Sequence, residues 1–206
     1  MPEPTIYHDG QRRLQEEFDC VRLADLMQAK LVKDFLNPKQ QAFIESADMF
    51  FLATADEHGR PTCSYRGGEP GFVRAIDERT LALPNYDGDG MYLSWGNVQT
   101  NPNVGLLFID FMKGWRLRIH GSATIHRDDA LLSNYPEAQF MIRIAVREAF
   151  GNCPRYIHKY QLLERSTYTP RAGKPTPIPD WKLQPDNHAA LSANDPARSL
   201  PPKQPG

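Results

Sequence analysis

Arg66 stands in the run SYRGGEPGFVR, at the end of an alternating segment and directly before Gly67 and Gly68. A guanidinium forks onto phosphate oxygens and paired glycines let a backbone approach a ligand closely, so this arrangement suits a phosphate site. A β-turn carrying a solvated arginine is the alternative reading of the same residues. Further along, NYDGDG opens a crossover whose apolar residues Met91, Tyr92, Leu93 and Trp95 suit a short helix ending near Pro102. A glycine-rich turn running into a helix N-terminus offers free backbone N–H groups and the positive end of the helix dipole to an anion. A plain surface loop is the competing reading there. Asn85, Asp87, Asp89 and Gly90 also match the first half of an EF-hand loop, but position twelve falls on Gly96, where that site needs a bidentate Glu.

Other chemistry finds less support. His120 and His126 share a strand face, yet six residues of strand separate them by about 20 Å, too far to ligate one metal. Ser64, Ser94 and Ser122 sit in no G-x-S-x-G elbow, and Gly88 and Gly90 lack the third glycine of a dinucleotide fingerprint because Leu93 takes its place. Cys20, Cys63 and Cys153 are widely spaced with no C-x-x-C pair, and are read as free, reduced thiols.

These residues need a frame, and the clearest piece of it is Trp115 to His126. Its odd positions are Trp115, Leu117, Ile119, Gly121, Ala123 and Ile125, while its even positions are Arg116, Arg118, His120, Ser122, Thr124 and His126. Period-two alternation is a strand with one face in a core, here leaving two arginines and two histidines on the other face. Further strands are expected near 49–54, 62–66, 72–76, 80–83 and 104–111, with turns at 56–61 and 77–79. Six short strands in about 75 residues indicate an antiparallel barrel or sandwich. Ile142, Ile144 and Val146 suit either a strand or one face of a helix. Residues 11–45 read as short helices packed on something larger, with Pro38 in a first turn, and another helix is expected from Pro154 to about Leu163. Nine of the eighteen prolines fall between Pro170 and Pro205, so the tail is expected to be extended or disordered, with an ordered patch around Trp181.

At 206 residues, 40% hydrophobic and 24% charged, the chain has the composition of one ordinary soluble domain. A net charge of −1 without a basic stripe argues against nucleic acid, and no apolar run approaches the roughly 20 residues a membrane helix needs. MPEPTIYHDG shows no secretory pattern, so the chain is read as cytoplasmic.

The run from Met49 to Phe111, MFFLATADEHGRPTCSYRGGEPGFVRAIDERTLALPNYDGDGMYLSWGNVQTNPNVGLLFIDF, followed by WRLRIHGSATI, resembles the pyridoxamine 5'-phosphate oxidase-like family of FMN-binding split barrels. The D-E-H-G-R-P turn, N-P-N-V-G-L-L-F and R-x-x-G-x-A carry the likeness, and HDGQRRLQEEFDCVRLADLM and NCPRYIHKYQL resemble segments of a longer bacterial branch. The resemblance spans roughly residues 8–168. It implies a mainly β fold with flanking helices, a six-stranded antiparallel split barrel over residues 1–168 followed by the proline-rich tail 169–206. It further implies a homodimer, an FMN in each of two clefts between subunits, and a small-molecule substrate or electron donor. The flavin and its phosphate map onto Ser64, Tyr65 and Arg66 on the second strand, and onto Pro84, Asn85, Gly90, Met91 and Asn97 after the fourth. Arg116 maps onto a flavin-facing position of the sixth strand. FMN is the expected cofactor, with a deazaflavin as the alternative and no metal.

Two departures bear on activity. True pyridoxamine 5'-phosphate oxidases carry R-x-x-x-L-K on the second strand, where this chain has Ser64, Tyr65, Arg66, Gly67, Gly68 and Glu69, and their substrate-binding R-L-A-P has no counterpart in PDWKLQPDN. The leading expectation is therefore an FMN-dependent oxidoreductase of unidentified substrate. A non-catalytic flavin or small-ligand-binding protein comes second and a pyridoxamine 5'-phosphate oxidase third.

Overall fold

A computed structural model describes residues 5–204. The extreme ends of the expected barrel segment and tail, residues 1–4 and 205–206, lie outside the described residues. The chain forms two compact units, Met1–Gln161 and Leu162–Gly206, so the second starts somewhat ahead of the expected 168/169 boundary.

The first unit opens with α1 (Asp9–Glu17), α2 (Val21–Leu31) and α3 (Pro38–Ser46), and the sheet follows. Its strands are β1 (Met49–Ala55), β2 (Pro61–Gly67), β3 (Arg74–Ala75), β4 (Thr80–Asn85), β5 (Asn103–Asp110), β6 (Trp115–His126) and β7 (Phe140–Gly151). Between β4 and β5 lies the crossover helix α4 (Leu93–Thr100). All pairings are antiparallel, in the order β2-β1-β5-β6-β7-β4-β3. The end strands β2 and β3 do not pair with each other, and this gap is what splits the barrel. The count is seven because 140–151 is a strand. Met141 and Ile142 are both buried there, so neither of its faces is consistently polar and the short run Ile142-Ile144-Val146 carried no decisive period.

Alternation decides which side chains form the core. Phe50, Leu52, Leu106, Phe108, Leu117 and Ile119 point inward from β1, β5 and β6 and are essentially excluded from solvent, with the Phe50 and Phe108 rings stacked at 5.0 Å. Trp115 breaks the expected pattern: at 60% exposure it lies past the core's edge, with the Lys113 ammonium 5.9 Å from its ring centre. No helix of the described residues is long and apolar enough to cross a membrane.

Two helical expectations are corrected. α1 and α2 form, held together by an Arg12–Asp25 ion pair at 2.7 Å and a Tyr7 hydroxyl donating to the Ala24 carbonyl at 3.0 Å, but neither buries a residue in the core. Leu14, Phe18 and Leu23 stay largely exposed, and the covering is done by α3 through Ile44. The helix expected from Pro154 to Leu163 is absent: one turn closes between the Ile157 N–H and the Pro154 carbonyl, and irregular chain follows. Tyr156 and Leu163 are 85% and 93% exposed, and so short a helix is not stable without an apolar face to bury.

β6 and β7 slip register between His120 and Gly121, where β7 carries Arg147 as an extra residue. A Cβ on Gly121 would lie 2.4 Å from the Ala145 carbonyl oxygen and 2.9 Å from the Ile144 Cγ2. Both neighbours belong to the core strand and cannot swing aside. Gly121→Ala should therefore lower the unfolding free energy by about 1–3 kcal/mol, whereas Gly59→Ala meets only the strain of its positive φ of 78° and no steric contact. Urea denaturation of the two variants would check the difference, and an unaffected Gly121→Ala midpoint would contradict this packing.

Candidate cofactor cleft

A cleft of about 330 Å³ lies between β2 and the β4–α4 connection. Ser64, Tyr65 and Arg66 form one wall and the chain from Asn85 to Trp95 forms the other. β2 is an edge strand, paired through Phe50↔Arg66 and Leu52↔Ser64 to β1 and open on its other side, so three consecutive residues of it can reach the cleft.

The Arg66 guanidinium lies over the Trp95 ring, 4.8 Å from its centre, and its Nε is buried without a hydrogen-bond partner. Burial pulls its pKa below the ordinary arginine value while the charge of Asp89 pushes it back up, and the group remains cationic at any physiological pH. Trp95 is fixed beneath it, donating from Nε1 to the Asn85 Oδ1 at 2.5 Å. Asn85 in turn donates from Nδ2 to the Gln139 Oε1 at 2.8 Å, and the Tyr92 hydroxyl donates to that same oxygen at 3.0 Å. The hydroxyls of Ser64 and Ser94 meet at 3.1 Å, joining the strand wall to the helix wall. Burial, with Tyr135 and Glu137 nearby, pushes the Tyr86 phenol up to about 12, so it holds its proton and can donate at neutral pH.

α4 starts with little help from side chains. Its N-cap is Tyr92, in the left-handed region at φ 48°, and Tyr92 makes no capping bond, so the first-turn N–H groups have no capping acceptor. Asp89 accepts from the Met91 N–H at 3.0 Å. Asp87 and Asp89 both line the cleft, so its wall is not made of backbone N–H groups alone.

Among the expected flavin residues, Ser64, Tyr65, Arg66, Asn85, Gly90 and Met91 come together in this cleft. Pro84, Asn97 and Arg116 do not line it. Pro84 is buried in β4 opposite Met141. Asn97 lies on the face of α4 turned toward the sheet, where its Nδ2 donates to the buried Thr54 hydroxyl of β1 at 3.1 Å. Arg116 stands on β6 opposite Ile109, with a buried Nε that has no hydrogen-bond partner. The Asn85 side chain is spent on positioning Trp95 and Gln139. Tyr86, Ser94 and Trp95 also belong to the lining; the apolar stretch after DGDG hints at Trp95 alone, and no sequence signal marks Tyr86 or Ser94.

The histidines of β6 serve separately. His120 Nδ1 meets the Glu148 carboxylate at 2.6 Å, and His126 Nε2 meets the Thr124 hydroxyl at 2.8 Å. Among the described residues no group of three or more His, Cys, Asp or Glu side chains could hold a metal ion, and the three cysteines are unbridged.

A curled antiparallel sheet split between β2 and β3, with a cleft at the end of β4, can be compared with known proteins. The model of the family described as pyridoxamine 5'-phosphate oxidase matches residues 36–167. The chain belongs to this family. Solved structures that the family member is similar to include HupZ of Group A Streptococcus, at 19% identity over 57% of this chain and 99% of that one, with a TM-score of 0.47. An FMN-binding protein of Syntrophomonas wolfei is 11% identical over 69% of this chain and 96% of its own, with a TM-score of 0.44. HutZ, the heme storage protein of Vibrio cholerae, is 20% identical over 56% and 93%, with a TM-score of 0.40. A search of curated proteins gave no match.

Proposed function

We propose that this family member binds FMN in the Arg66 cleft and acts as an FMN-dependent oxidoreductase, working as a homodimer. The observation that carries the reading is Arg66: a half-buried, permanently charged guanidinium, held over Trp95, whose Nε has no acceptor among the described residues. A desolvated cation of this kind is costly unless an anion completes it, and a phosphate monoester does so with two oxygens at once. The uncapped first turn of α4, the Ser64 and Ser94 hydroxyls and the protonated Tyr86 are further donors on the same cleft. Asp89 weakens the local field toward anions, but one of its oxygens is taken by the Met91 N–H. The group therefore fits the residues present.

When bound, FMN supplies the electron-accepting isoalloxazine, and the protein contributes binding, orientation and electrostatics. Arg116, outside its own chain's cleft and unpartnered at Nε, suits the cleft of a second copy, where its charge would favour the anionic reduced flavin. Under anaerobic conditions NADH or NADPH should bleach the flavin absorbance and an electron acceptor should restore it over repeated cycles, while pyridoxamine 5'-phosphate should not. Arg116→Ala should slow the bleaching by about tenfold or more while changing FMN affinity less. Flavin that stays oxidised with both nicotinamides would point to a binding protein without turnover.

A further inference from the structure

A second cavity, of about 470 Å³, shares Tyr92 and Trp95 with the Arg66 cleft and is otherwise lined by different residues. α4 contributes Gly96 and Gln99, the end of β6 contributes Ile125 and Arg127, and the start of β7 contributes Gln139 and Phe140. We propose that this cavity is a binding site for a planar aromatic anion of the aromatic carboxylate class.

Three observations converge on that chemistry. The first is shape: the Tyr92 and Phe140 rings lie 6.4 Å apart at 31°, and with Trp95 and Ile125 they offer flat apolar surfaces in a volume within the usual range of roughly 300–1,000 Å³ for small-molecule sites. The second is charge. Arg127 lines the cavity, no carboxylate does, and Arg127 makes no ion pair or hydrogen bond among the described residues. The amides of Gln99 and Gln139 add polar groups without adding negative charge.

The third observation is Gly96. It sits inside α4, where glycine is less favourable than alanine by about 1 kcal/mol. Neither a left-handed backbone nor crowding explains it, because its φ is not positive and a Cβ built there meets nothing within 4 Å. Its effect is to keep one wall of the cavity open. Tyr92 adds a fourth, weaker indication: a non-glycine residue in the left-handed region is strained, and such strain gathers at ligand-holding positions. Here it sets the tyrosine as the partition between the two cavities, tied through its hydroxyl to Gln139.

The proposal stands without the flavin reading, and the test keeps them apart. 2-Naphthoate and its neutral analogue 2-naphthamide would be titrated calorimetrically into the full chain, with and without saturating FMN. Naphthoate should bind saturably with one site per chain and more tightly than the amide. Arg127→Gln should weaken naphthoate by about tenfold and leave the amide unchanged, with Arg127→Lys recovering most of the loss. Gly96→Leu should fill the cavity and abolish binding of both probes while the far-ultraviolet circular dichroism and melting temperature are kept. Gln99→Trp, at an exposed position, is a second filling variant should Gly96→Leu fail to fold. Absent naphthoate binding at millimolar concentration, equal preference for acid and amide, or unaltered binding in a folded filling variant would each overturn the proposal. Naphthoate binding in a protein that takes up no FMN would overturn only the flavin reading.

Discussion

Arg66→Ala is expected to weaken FMN binding by about 1.5–3 kcal/mol, roughly 10- to 150-fold in Kd, the loss that follows removal of a charge-assisted hydrogen bond. Arg66→Lys should fall between, since an ammonium keeps the charge but loses the planar fork. The flavin-free protein should be as stable as the wild type or slightly more so. Arg66 holds a desolvated charge whose Nε has no acceptor among the described residues, and relief of that cost offsets the lost stacking on Trp95 and the lost attraction to Asp89. Arg79→Ala is the matched control: that arginine pairs with Asp34 at 2.6 Å and lines no part of the cleft. Isothermal titration with FMN would separate the variants, and equal affinities for wild type and Arg66→Ala would put the phosphate elsewhere.

Lys182→Ala is expected to unfold the second unit. Between Leu162 and residue 204 only Lys182 and Ala197 are fully buried, so little apolar surface holds this segment together. Lys182 Nζ meets the Asp195 Oδ2 at 2.6 Å with both side chains under one-tenth exposed, and Asp195 also caps the turn at Pro196–Ser199 through the Ala197 N–H at 2.9 Å. Removing one member of a buried pair strands the other and costs about 3–5 kcal/mol, which a unit with so small a core cannot absorb. Amide hydrogen exchange over residues 180–200 should rise toward the unprotected rate, and preserved protection would contradict the assignment. Acid should act in the same direction. Burial pushes the Asp195 carboxyl up, but the Lys182 bond, the Ala197 N–H and the Arg198 charge outweigh it and hold it below the usual carboxylate range. The stabilisation is therefore complete above the unfolded carboxylate pKa of about 3.9, and is lost as pH falls from there through the lowered folded value.

What could be read from the chain follows from how local each signal is. The β6 alternation marked Leu117, Ile119 and Ala123 as core because a strand's period is carried by adjacent residues, and Trp115 escaped the rule only because the core ends before it. Arg66 with Gly67 and Gly68 was legible for the same reason. The Asn85 and Asn97 side chains were not, since their partners Gln139 and Thr54 are 54 and 43 positions away. Trp95 beneath Arg66 is likewise a meeting of two elements, invisible until β2 and α4 are placed side by side. The expected helix after Pro154 rested on a proline suited to a first turn, and one local signal does not hold a helix whose Tyr156 and Leu163 find nothing to bury against. Gly121 reads as one more small residue in the strand, and only the bulge opposite Arg147 shows why no side chain fits.

If the Arg66 cleft holds the phosphate of a flavin, FMN must bind better than riboflavin, which lacks that phosphate. Flavin-free protein would be titrated with each while flavin fluorescence is followed, for wild type and Arg66→Ala. Wild type should bind FMN at micromolar concentration and riboflavin at least about tenfold more weakly, and Arg66→Ala should largely remove the difference. Equal wild-type affinity for the two flavins, or no uptake of FMN, would contradict that placement of the phosphate.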